Sequence, residues 1–387
     1  QPRIWLHAVS LGEVNVTPRI VEQLTAKFPN REIVISTTTD TGYARACQLY
    51  GPGRVFRFPL DFSWVVRRVL DRVNADLIVL VELEIWYNLI RSATRRGIPV
   101  AVINGRLTRH SVDRLAKLGG FTRSMFASLA WVGAQDAEIA DRFVRLGTPP
   151  ERVTIVGSMK WDSVSDSVDG ANELATSLGI DRNRPVWVCG STGPGEEAMI
   201  LDAYRLILER GEQPTLAIVP RKPERFDEVA RLIARRSIPC TRRSQSTNTN
   251  AGSPDAVILG DTMGELRTFY ALATVVFVGR SLVPMGGSDP MEVAALAKPI
   301  LAGPHMDNFR VPTEALRSRG ALSVVSNADE LATAVCHHGC NPADAAKAGQ
   351  TARAVVLEHQ GATAATVAAL ERLLSTENAA CQSARSH

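Results

Sequence analysis

Short apolar runs alternate along the chain with stretches in which apolar residues recur every three or four positions. Runs of the first kind predict buried strands, and stretches of the second kind predict helices. In the first half, the predicted strands are Ile4–Ser10, Glu32–Thr39, Val55–Leu60, Asp76–Glu84, Pro99–Asn104, Trp131–Ala134 and Val153–Ser158. In the second half, they are Val186–Gly190, Thr215–Val219, Ala256–Leu259, Val275–Val278, Pro299–Ala302 and Ala321–Val325. This alternation predicts parallel sheets covered by helices on both faces.

The chain of 387 residues is too long for one ordinary core, so two domains are expected. We predict an α/β fold with two Rossmann-like domains facing a cleft. The predicted bounds are 1–162 for the first domain, 163–184 for a polar linker, 185–374 for the second domain and 375–387 for a disordered tail. Residues 244–254 are polar and predict a mobile loop. Ligands in such folds bind beyond the carboxyl ends of the strands.

Composition and net charge limit the binding partners and the cellular compartment that we expect. The net charge is only +4, which does not favour nucleic-acid binding. The six cysteines are scattered, which favours a reducing compartment, and the run Cys336–Cys340 matches no standard zinc spacing. The sequence has no apolar run of about 18 residues and no visible signal peptide, so we expect no membrane span.

Charged residues follow three predicted strands of the first half. Glu13 lies at the start of a helix. It could serve as a general base, or it could be an acid that is placed there because the helix dipole favours it. Glu82 and Glu84 would share one face at the end of a buried strand, where an unpaired acid is costly, and this favours a functional role. Lys160 follows the last strand of the first half. Its two possible roles are to hold a phosphate and to be a solvated surface residue.

Two glycine-rich junctions stand out in the second half. The segment Gly190–Glu197 includes Ser191 and Thr192 and is typical of an anion cradle, although it lacks the Walker lysine. The segment Gly286–Glu292 opens a helix, and a helix cap explains most of it but not its final acid. Arg221 ends a strand and is a further candidate for holding phosphate.

One stretch, 106–129, mixes cations with large apolar residues. Its basic residues include Arg106, Arg109, Arg114 and Lys117. The pattern is typical of a basic helix that lies on an anionic membrane, and also of a helix whose apolar face packs on a sheet. Both interpretations stay open from the sequence.

Read together in order, these segments resemble the 3-deoxy-D-manno-octulosonic acid (Kdo) transferases, a family of two-domain GT-B glycosyltransferases. The matching segments are His7–Glu13, Glu82–Asn88, Ile103–Leu107, Gly157–Asp162, Gly190–Glu197, Val219–Arg221, Asp261–Leu266, Gly286–Glu292, Gly303–His305 and Asn308–Phe309. They are colinear over most of the chain.

The resemblance implies an inverting transfer of Kdo from CMP-Kdo to a lipid A precursor in lipopolysaccharide biosynthesis, with no metal or other cofactor. It assigns the catalytic base to Glu13 and transition-state support to Glu82, Glu84 and Lys160. The residues it implies for the cytidine monophosphate pocket are Pro220, Arg221, Met263, Gly264, Glu265, Asp289, Pro290, Met291 and Glu292. It also implies a place on the cytoplasmic face of the inner membrane, either peripheral or through an N-terminal anchor that this chain lacks.

The chain departs from the family pattern at three places. Lys222 stands where the family has His, Ser288-Asp289-Pro290 where it has His-Asn-Pro, and Tyr87 where it has Pro. These changes bear on donor contacts rather than on the class.

Two other functions compete with this one. The first is a GT-B transferase or epimerase that uses a UDP-sugar. The second is a two-domain periplasmic-type binding protein, against which the lack of a visible signal peptide argues.

Overall fold

A computed structural model of the chain describes residues 2–82, 86–246 and 255–385, with side chains described as far as Ser375. The chain forms two units, one from Gln1–Ser163 with His359–His387 and the other from Val164–Glu358. Each unit has a seven-stranded sheet in which the paired strands are parallel. The predicted α/β class with two Rossmann-like domains is confirmed.

The strands are β1 Arg3–His7, β2 Glu32–Thr37, β3 Val55–Arg57, β4 Leu77–Val81, β5 Val100–Gly105, β6 Trp131–Ala134, β7 Val153–Ile155, β8 Val186–Thr192, β9 Thr215–Pro220, β10 Cys240–Arg242, β11 Val257–Leu259, β12 Val275–Val278, β13 Ile300–Ala302 and β14 Leu322–Val324. The α-helices are α1 Leu11–Asn15, α2 Pro18–Lys27, α3 Asp40–Tyr50, α4 Ser63–Val73, α5 Tyr87–Arg95, α6 Arg109–Ala116, α7 Gly120–Ala127, α8 Ala137–Leu146, α9 Ala171–Leu178, α10 Glu196–Glu209, α11 Phe226–Arg235, α12 Leu266–Leu272, α13 Met291–Ala295, α14 Arg310–Ser318, α15 Ala328–Cys340, α16 Pro342–His359 and α17 Ala362–Arg385. Short 3-10 turns lie at Pro52–Arg54, Pro150–Arg152, Pro223–Arg225, Arg243–Gln245 and Asp307–Phe309.

The sheet of the first unit runs β3-β2-β1-β4-β5-β6-β7, with β1 and β4 near its centre. Every residue of β4 is buried, as a continuous apolar run in a doubly covered sheet requires. The unit has two apolar cores: one contains Leu6 and Leu24, and the other contains Phe126 and Phe143. The loops that carry the candidate residues of this unit therefore extend from a sheet that is packed on both sides.

The last helix, α17, belongs to the first unit. Its residues Leu370 and Leu374 are buried in the same core as Leu24. Asp162 accepts the backbone N–H groups of Gly361 at 2.7 Å and Thr363 at 2.6 Å, so it holds the start of this helix. The structure thus differs from the predicted boundaries, which gave 185–374 to the second domain and a disordered tail from 375, because α17 packs on the first unit and continues to Arg385.

The sheet of the second unit runs β10-β11-β9-β8-β12-β13-β14, with β9, β8 and β12 side by side in its middle. Two elements depart from the prediction. The edge strand β10 was not predicted, and α9 lies inside the stretch 163–184 that was predicted to be a linker. The apolar residues Leu174 and Leu178 of α9 are buried, so this stretch is part of the unit.

The helical region predicted to run through Ser128 is divided into α6 and α7. Gly119, with a φ of 58°, lies directly before α7, and this left-handed conformation interrupts the helix. Of the predicted mobile loop 244–254, residues 247–254 lie outside the described part of the chain. None of the helices over the described residues is long and apolar enough to cross a membrane.

Candidate active site

Strand topology gathers most of the candidate residues at the carboxyl edges of the two sheets. In the first unit, Glu13 and Glu82 follow the neighbouring strands β1 and β4, and Lys160 follows β7. In the second unit, Ser191 and Thr192 end β8, and Arg221 follows the adjacent strand β9. Parallel strands present these ends at one edge, which is where ligands bind in α/β folds.

Glu13 is buried and its carboxylate is held from two sides. Ser10 is the N-cap of α1 and donates its Oγ–H to Oε1 of Glu13 at 2.9 Å, and the backbone N–H of Val9 donates to Oε2 at 2.8 Å. These contacts resemble a capping box, which is a structural role. They also fix the carboxylate in one orientation, as a general base requires. The geometry is compatible with both of the roles predicted from the sequence.

Glu82 and Lys160 lie close together in the first unit. Lys160 Nζ is 3.9 Å from Oε1 of Glu82, and Asn104 Nδ2 donates to the same oxygen at 3.4 Å. Strand β4 ends before Glu82, whose φ is 62°, so the premise that Glu82 and Glu84 share a strand face is wrong for Glu82. Glu84 itself lies outside the described residues.

Asn104 is a residue that sequence reasoning left without a role. It is fully buried, it contacts Glu82, and its Oδ1 accepts the backbone N–H of Met159 at 3.1 Å. Asn104 therefore connects the loop of Glu82 with the segment that carries Lys160. Its φ of 50° is a conformation that asparagine adopts more readily than most residues. In the sequence, the only signal was an asparagine at the end of an apolar run.

His7 is a second residue that the sequence did not single out. It lies at the end of β1, its Nδ1 is 2.7 Å from Ser36 Oγ, and its ring packs against Phe58 and Trp86. Burial lowers the pKa of His7 from 6.5 to about 3, so the ring is neutral at physiological pH. Among the described residues, neither Nε2 of His7 nor Nε1 of Trp86 has a hydrogen-bond partner.

The basic residues of the 106–129 stretch are exposed, but most of its apolar residues are not. Arg106, Arg114 and Lys117 face solvent, and Arg109 pairs with Glu138 at 2.6 Å. The buried apolar residues are Leu107, Val112, Leu115, Met125, Phe126 and Leu129. Burial of this apolar face favours the interpretation in which α6 and α7 cover the sheet.

In the second unit, the glycine-rich segment Gly190–Gly195, here named the Gly190 turn, comprises the end of β8 and the tight turn that leads into α10. A Cβ atom at Gly190 would lie 2.2 Å from the hydroxyl oxygen of Tyr270, so only glycine fits there. Ser191 has a φ of 56°. Thr192 is fully buried, its carbonyl accepts the backbone N–H of Arg221 at 3.1 Å, and its Oγ1 has no partner among the described residues.

Glu196 holds this segment against the loop after β12. Its buried carboxylate accepts four backbone N–H groups, those of Gly193 at 2.8 Å, Arg280 at 2.5 Å, Ser281 at 2.7 Å and Leu282 at 2.9 Å. Burial raises the pKa of Glu196, and the four hydrogen bonds oppose that effect. Sequence reasoning assigned Glu196 no individual role, because three of its partners lie more than 80 residues away in the chain.

Charged groups converge around Tyr270 in the same unit. Burial, with the nearby carboxylates of Glu292 and Asp289, raises the pKa of Tyr270, and Arg221 acts in the opposite direction. Burial also raises the pKa of Glu292, against the charges of Arg267 and Arg221. Glu292 forms no hydrogen bond or ion pair with any residue that the structure describes. A partly buried carboxylate of this kind can accept ligand hydroxyls.

Several other predicted pocket residues have a clear structural environment. Asp289 accepts the backbone N–H of Met291 at 2.8 Å, as a helix cap does. Pro290 is the N-cap of α13, and the Met291 side chain is buried. Pro220 is buried at the end of β9.

The segment before α12 is the most exposed part of the predicted pocket. Met263 is 67% exposed, and Gly264 has a φ of 90°. Glu265 is engaged by Arg243, whose Nη2 is 2.8 Å away, and this guanidinium contributes to lowering the pKa of Glu265 against the effect of burial. Within the described ranges, no group of three His, Cys, Asp or Glu side chains could hold a metal ion.

The family model described as 3-deoxy-D-manno-octulosonic-acid transferase matches residues 1–163. A 3-deoxy-D-manno-octulosonic acid transferase of Haemophilus influenzae is 34% identical over 375 residues, which cover 96% of this chain and 85% of that protein. The chain belongs to this Kdo transferase family. A Kdo transferase of Bordetella pertussis is 31% identical over 95% of this chain and 86% of its own length. The predicted class of enzyme, a glycosyltransferase that transfers Kdo, is confirmed.

Solved structures agree on the fold. A UDP-GlcNAc 2-epimerase of Neisseria meningitidis matches 96% of this chain and all of its own, with a TM-score of 0.63 and 12% identity. At that identity the match establishes the shared fold alone, and it does not bear on the donor of this Kdo transferase.

Proposed function

We propose that this Kdo transferase moves Kdo from CMP-Kdo to a lipid A precursor with inversion at the anomeric carbon. The acceptor hydroxyl attacks that carbon, the bond from the carbon to the phosphate oxygen breaks, and CMP leaves. Glu13 takes the proton from the hydroxyl. The phosphate is a good leaving group, so the protein has to orient the reactants and stabilise charge.

The convergence around Tyr270 is the observation that carries the donor assignment. Arg221 provides a cation beside the Gly190 turn, and a guanidinium is suited to a phosphate. Glu292 provides a carboxylate without a protein partner in the described part, suited to ribose hydroxyls. Together they offer an anion-binding group and a hydroxyl-binding group next to a tight turn, as a nucleoside monophosphate requires.

The backbone beside these groups completes the proposed pocket. Ser191 and Thr192 border the Gly190 turn, and Met263 and Gly264 stand exposed before α12. Glu265, held by Arg243, would limit how far a ligand enters the α12 segment. Asp289 would act through the cap of α13 and Pro290, and the buried Met291 would support the pocket from behind.

In the first unit, Glu13 and the Glu82–Lys160 pair carry the chemistry of the proposal. The two contacts on Glu13 orient its carboxylate, and Lys160 remains nearly half exposed and therefore accessible to an anion. We place Lys160 on the donor phosphate or on the Kdo carboxylate, with Glu82 and Glu84 in support. Arg106, Arg109, Arg114 and Lys117 are proposed to face the phosphates of the acceptor at the cytoplasmic surface of the inner membrane.

Product mass spectrometry tests the proposal. The chain would be incubated with CMP-Kdo and a tetraacylated lipid A precursor, in parallel with UDP-sugars. We expect a Kdo-bearing lipid and free CMP, and no product from UDP-sugars. Turnover of a UDP-sugar without turnover of CMP-Kdo would overturn the donor assignment, and CMP release without glycosylated lipid would overturn the acceptor assignment.

A further inference from the structure

The segment between β3 and the first turn of α4 exposes three large apolar side chains within five residues. Leu60 is 72% exposed, Phe62 is 55% exposed and Trp64 is 63% exposed. Single exposed apolar residues are common on protein surfaces, but clusters of this kind mark sites of interaction. No other five-residue window in the described part of the chain exposes three residues of this size.

This segment is firmly attached to helix α5. The carboxylate of Asp61 accepts the backbone N–H groups of Asn88 at 2.8 Å and Leu89 at 3.0 Å, and its carbonyl accepts Asn88 Nδ2 at 2.5 Å. Asp61 thereby caps α5, whose own N-cap, Trp86, forms no side-chain cap bond. Leu60 and Phe62 flank Asp61, so the hydrogen bonds of Asp61 fix the backbone that exposes these two side chains to solvent.

Arginines line the surface next to this segment. Arg67, Arg91 and Arg95 line one cavity with Ser63, and Arg91 and Arg95 also line a second cavity on the other side of α5. None of the three forms an ion pair with any side chain that the structure describes. Arg91 and Arg95 are one helical turn apart, and their mutual repulsion favours the binding of an anion between them.

We propose that these residues form a docking face for the surface of an anionic phospholipid bilayer. The face consists of Leu60, Phe62 and Trp64 with Arg67, Arg91 and Arg95. Apolar side chains next to cations match an interface in which acyl chains lie beneath phosphates, and tryptophan is well suited to that boundary. The proposal draws on the proposed function only in that a lipid acceptor places the enzyme at a membrane.

The docking face differs from the 106–129 stretch, for which the sequence left a membrane role open. The 106–129 stretch buries Leu115, Met125 and Phe126, and among its large apolar residues only Leu118 and Phe121 are substantially exposed. Its cations alone do not provide an insertion surface. This difference gives a direct comparison between two basic surfaces of the same unit.

Vesicle sedimentation tests the docking face, using the full chain and no substrate. Vesicles of phosphatidylcholine alone are compared with vesicles that also contain phosphatidylglycerol, at low and high salt. We expect the chain to bind only the anionic vesicles, and less at high salt. The double variant Phe62→Ser/Trp64→Ser should bind at least about tenfold more weakly. The double variant Arg91→Gln/Arg95→Gln should bind about 25-fold more weakly, from roughly fivefold per cation.

Two matched pairs serve as controls. Val311→Ser/Leu357→Ser removes apolar side chains that are 74% and 55% exposed in the second unit, and Arg114→Gln/Lys117→Gln removes two cations from α6 and its C-terminal end. Both pairs should retain vesicle binding within a few-fold, because Val311 and Leu357 lie outside the first unit and because Arg114 and Lys117 are assigned to the lipid A acceptor, which these vesicles do not contain. Thermal unfolding and CMP binding, measured on every variant, identify any variant that is misfolded.

Several outcomes would overturn the docking face. The first is a lack of binding to anionic vesicles. The second is a loss of vesicle binding in Arg114→Gln/Lys117→Gln that equals the loss in Arg91→Gln/Arg95→Gln. The third is self-association of the chain that Phe62→Ser/Trp64→Ser abolishes, since the face would then be a contact between copies. If the chain does not bind vesicles but still turns over an acceptor dispersed in detergent, the docking face alone is refuted. Intact vesicle binding without any turnover of CMP-Kdo would refute the proposed function alone.

Discussion

Replacement of Glu13 by Gln and by Ala separates a catalytic role from a capping role. In Glu13→Gln, the amide oxygen can still accept the N–H of Val9, and the amide N–H can donate to Ser10 Oγ. The remaining cost is the loss of a negative charge in the first turn of α1, about 0.3–1 kcal/mol. In Glu13→Ala both contacts are lost, which should cost about 1–3 kcal/mol of the free energy of unfolding.

The two roles predict different patterns of activity. If Glu13 is the general base, both variants lose at least about 100-fold in turnover, equivalent to about 2.7 kcal/mol in the barrier. If it only caps α1, Glu13→Gln keeps nearly full activity while Glu13→Ala loses stability. The assay combines steady-state CMP release with urea unfolding, and CMP binding should be equal in all three proteins. Turnover of Glu13→Gln within a few-fold of the unmodified chain would refute the general-base assignment.

Four further predictions concern other residues. Arg221→Ala should weaken binding of CMP more than of cytidine in calorimetry, because we place the guanidinium on the phosphate; equal losses for the two ligands would argue against that placement. Cytidine affinity should fall on acidification, since burial raises the pKa of Glu292 and a protonated carboxyl accepts hydroxyls poorly, and Glu292→Gln should remove that pH dependence. The buried His7 has a pKa of about 3 against 6.5 when unfolded, so below pH 6.5 the unfolded chain binds the proton first. The free energy of unfolding of the first unit should therefore fall by about 2 kcal/mol at pH 5. In His7→Asn, the free energy of unfolding measured with urea should depend less on pH below pH 6.5 than in the unmodified chain. Asp162→Ala should lower the free energy of unfolding by about 1–2 kcal/mol, because α17 loses its N-terminal hydrogen bonds.

The sheets could be predicted because buried parallel strands are continuous apolar runs. The run over β4 is an example, and its position was correct even though β4 ends at Val81, before Glu82. The missed strand β10, Cys240–Arg242, lies at the edge of its sheet and is only half buried. A short, partly polar edge strand has no apolar run to reveal it.

The side-chain pairing within the site could not be predicted. The rule for carboxyl edges predicted that Glu13, Glu82 and Arg221 lie just beyond strand ends, and the structure places them there. The pairing of Glu265 with Arg243 and the four bonds of Glu196 join residues from separate elements, and no local pattern encodes them. The docking of α17 onto the first unit is also a tertiary contact, which helical periodicity does not specify.

The return of α17 to the first unit makes the second unit an insertion within the first. The chain passes between the units twice, at Ser163–Val164 and at Glu358–His359. During synthesis, the second unit is complete in sequence before the first, whose core still lacks Leu370 and Leu374. The unit that begins to emerge first from the ribosome is therefore the last one able to finish folding, and until then the face of its sheet that α17 covers is a surface for chaperones to protect.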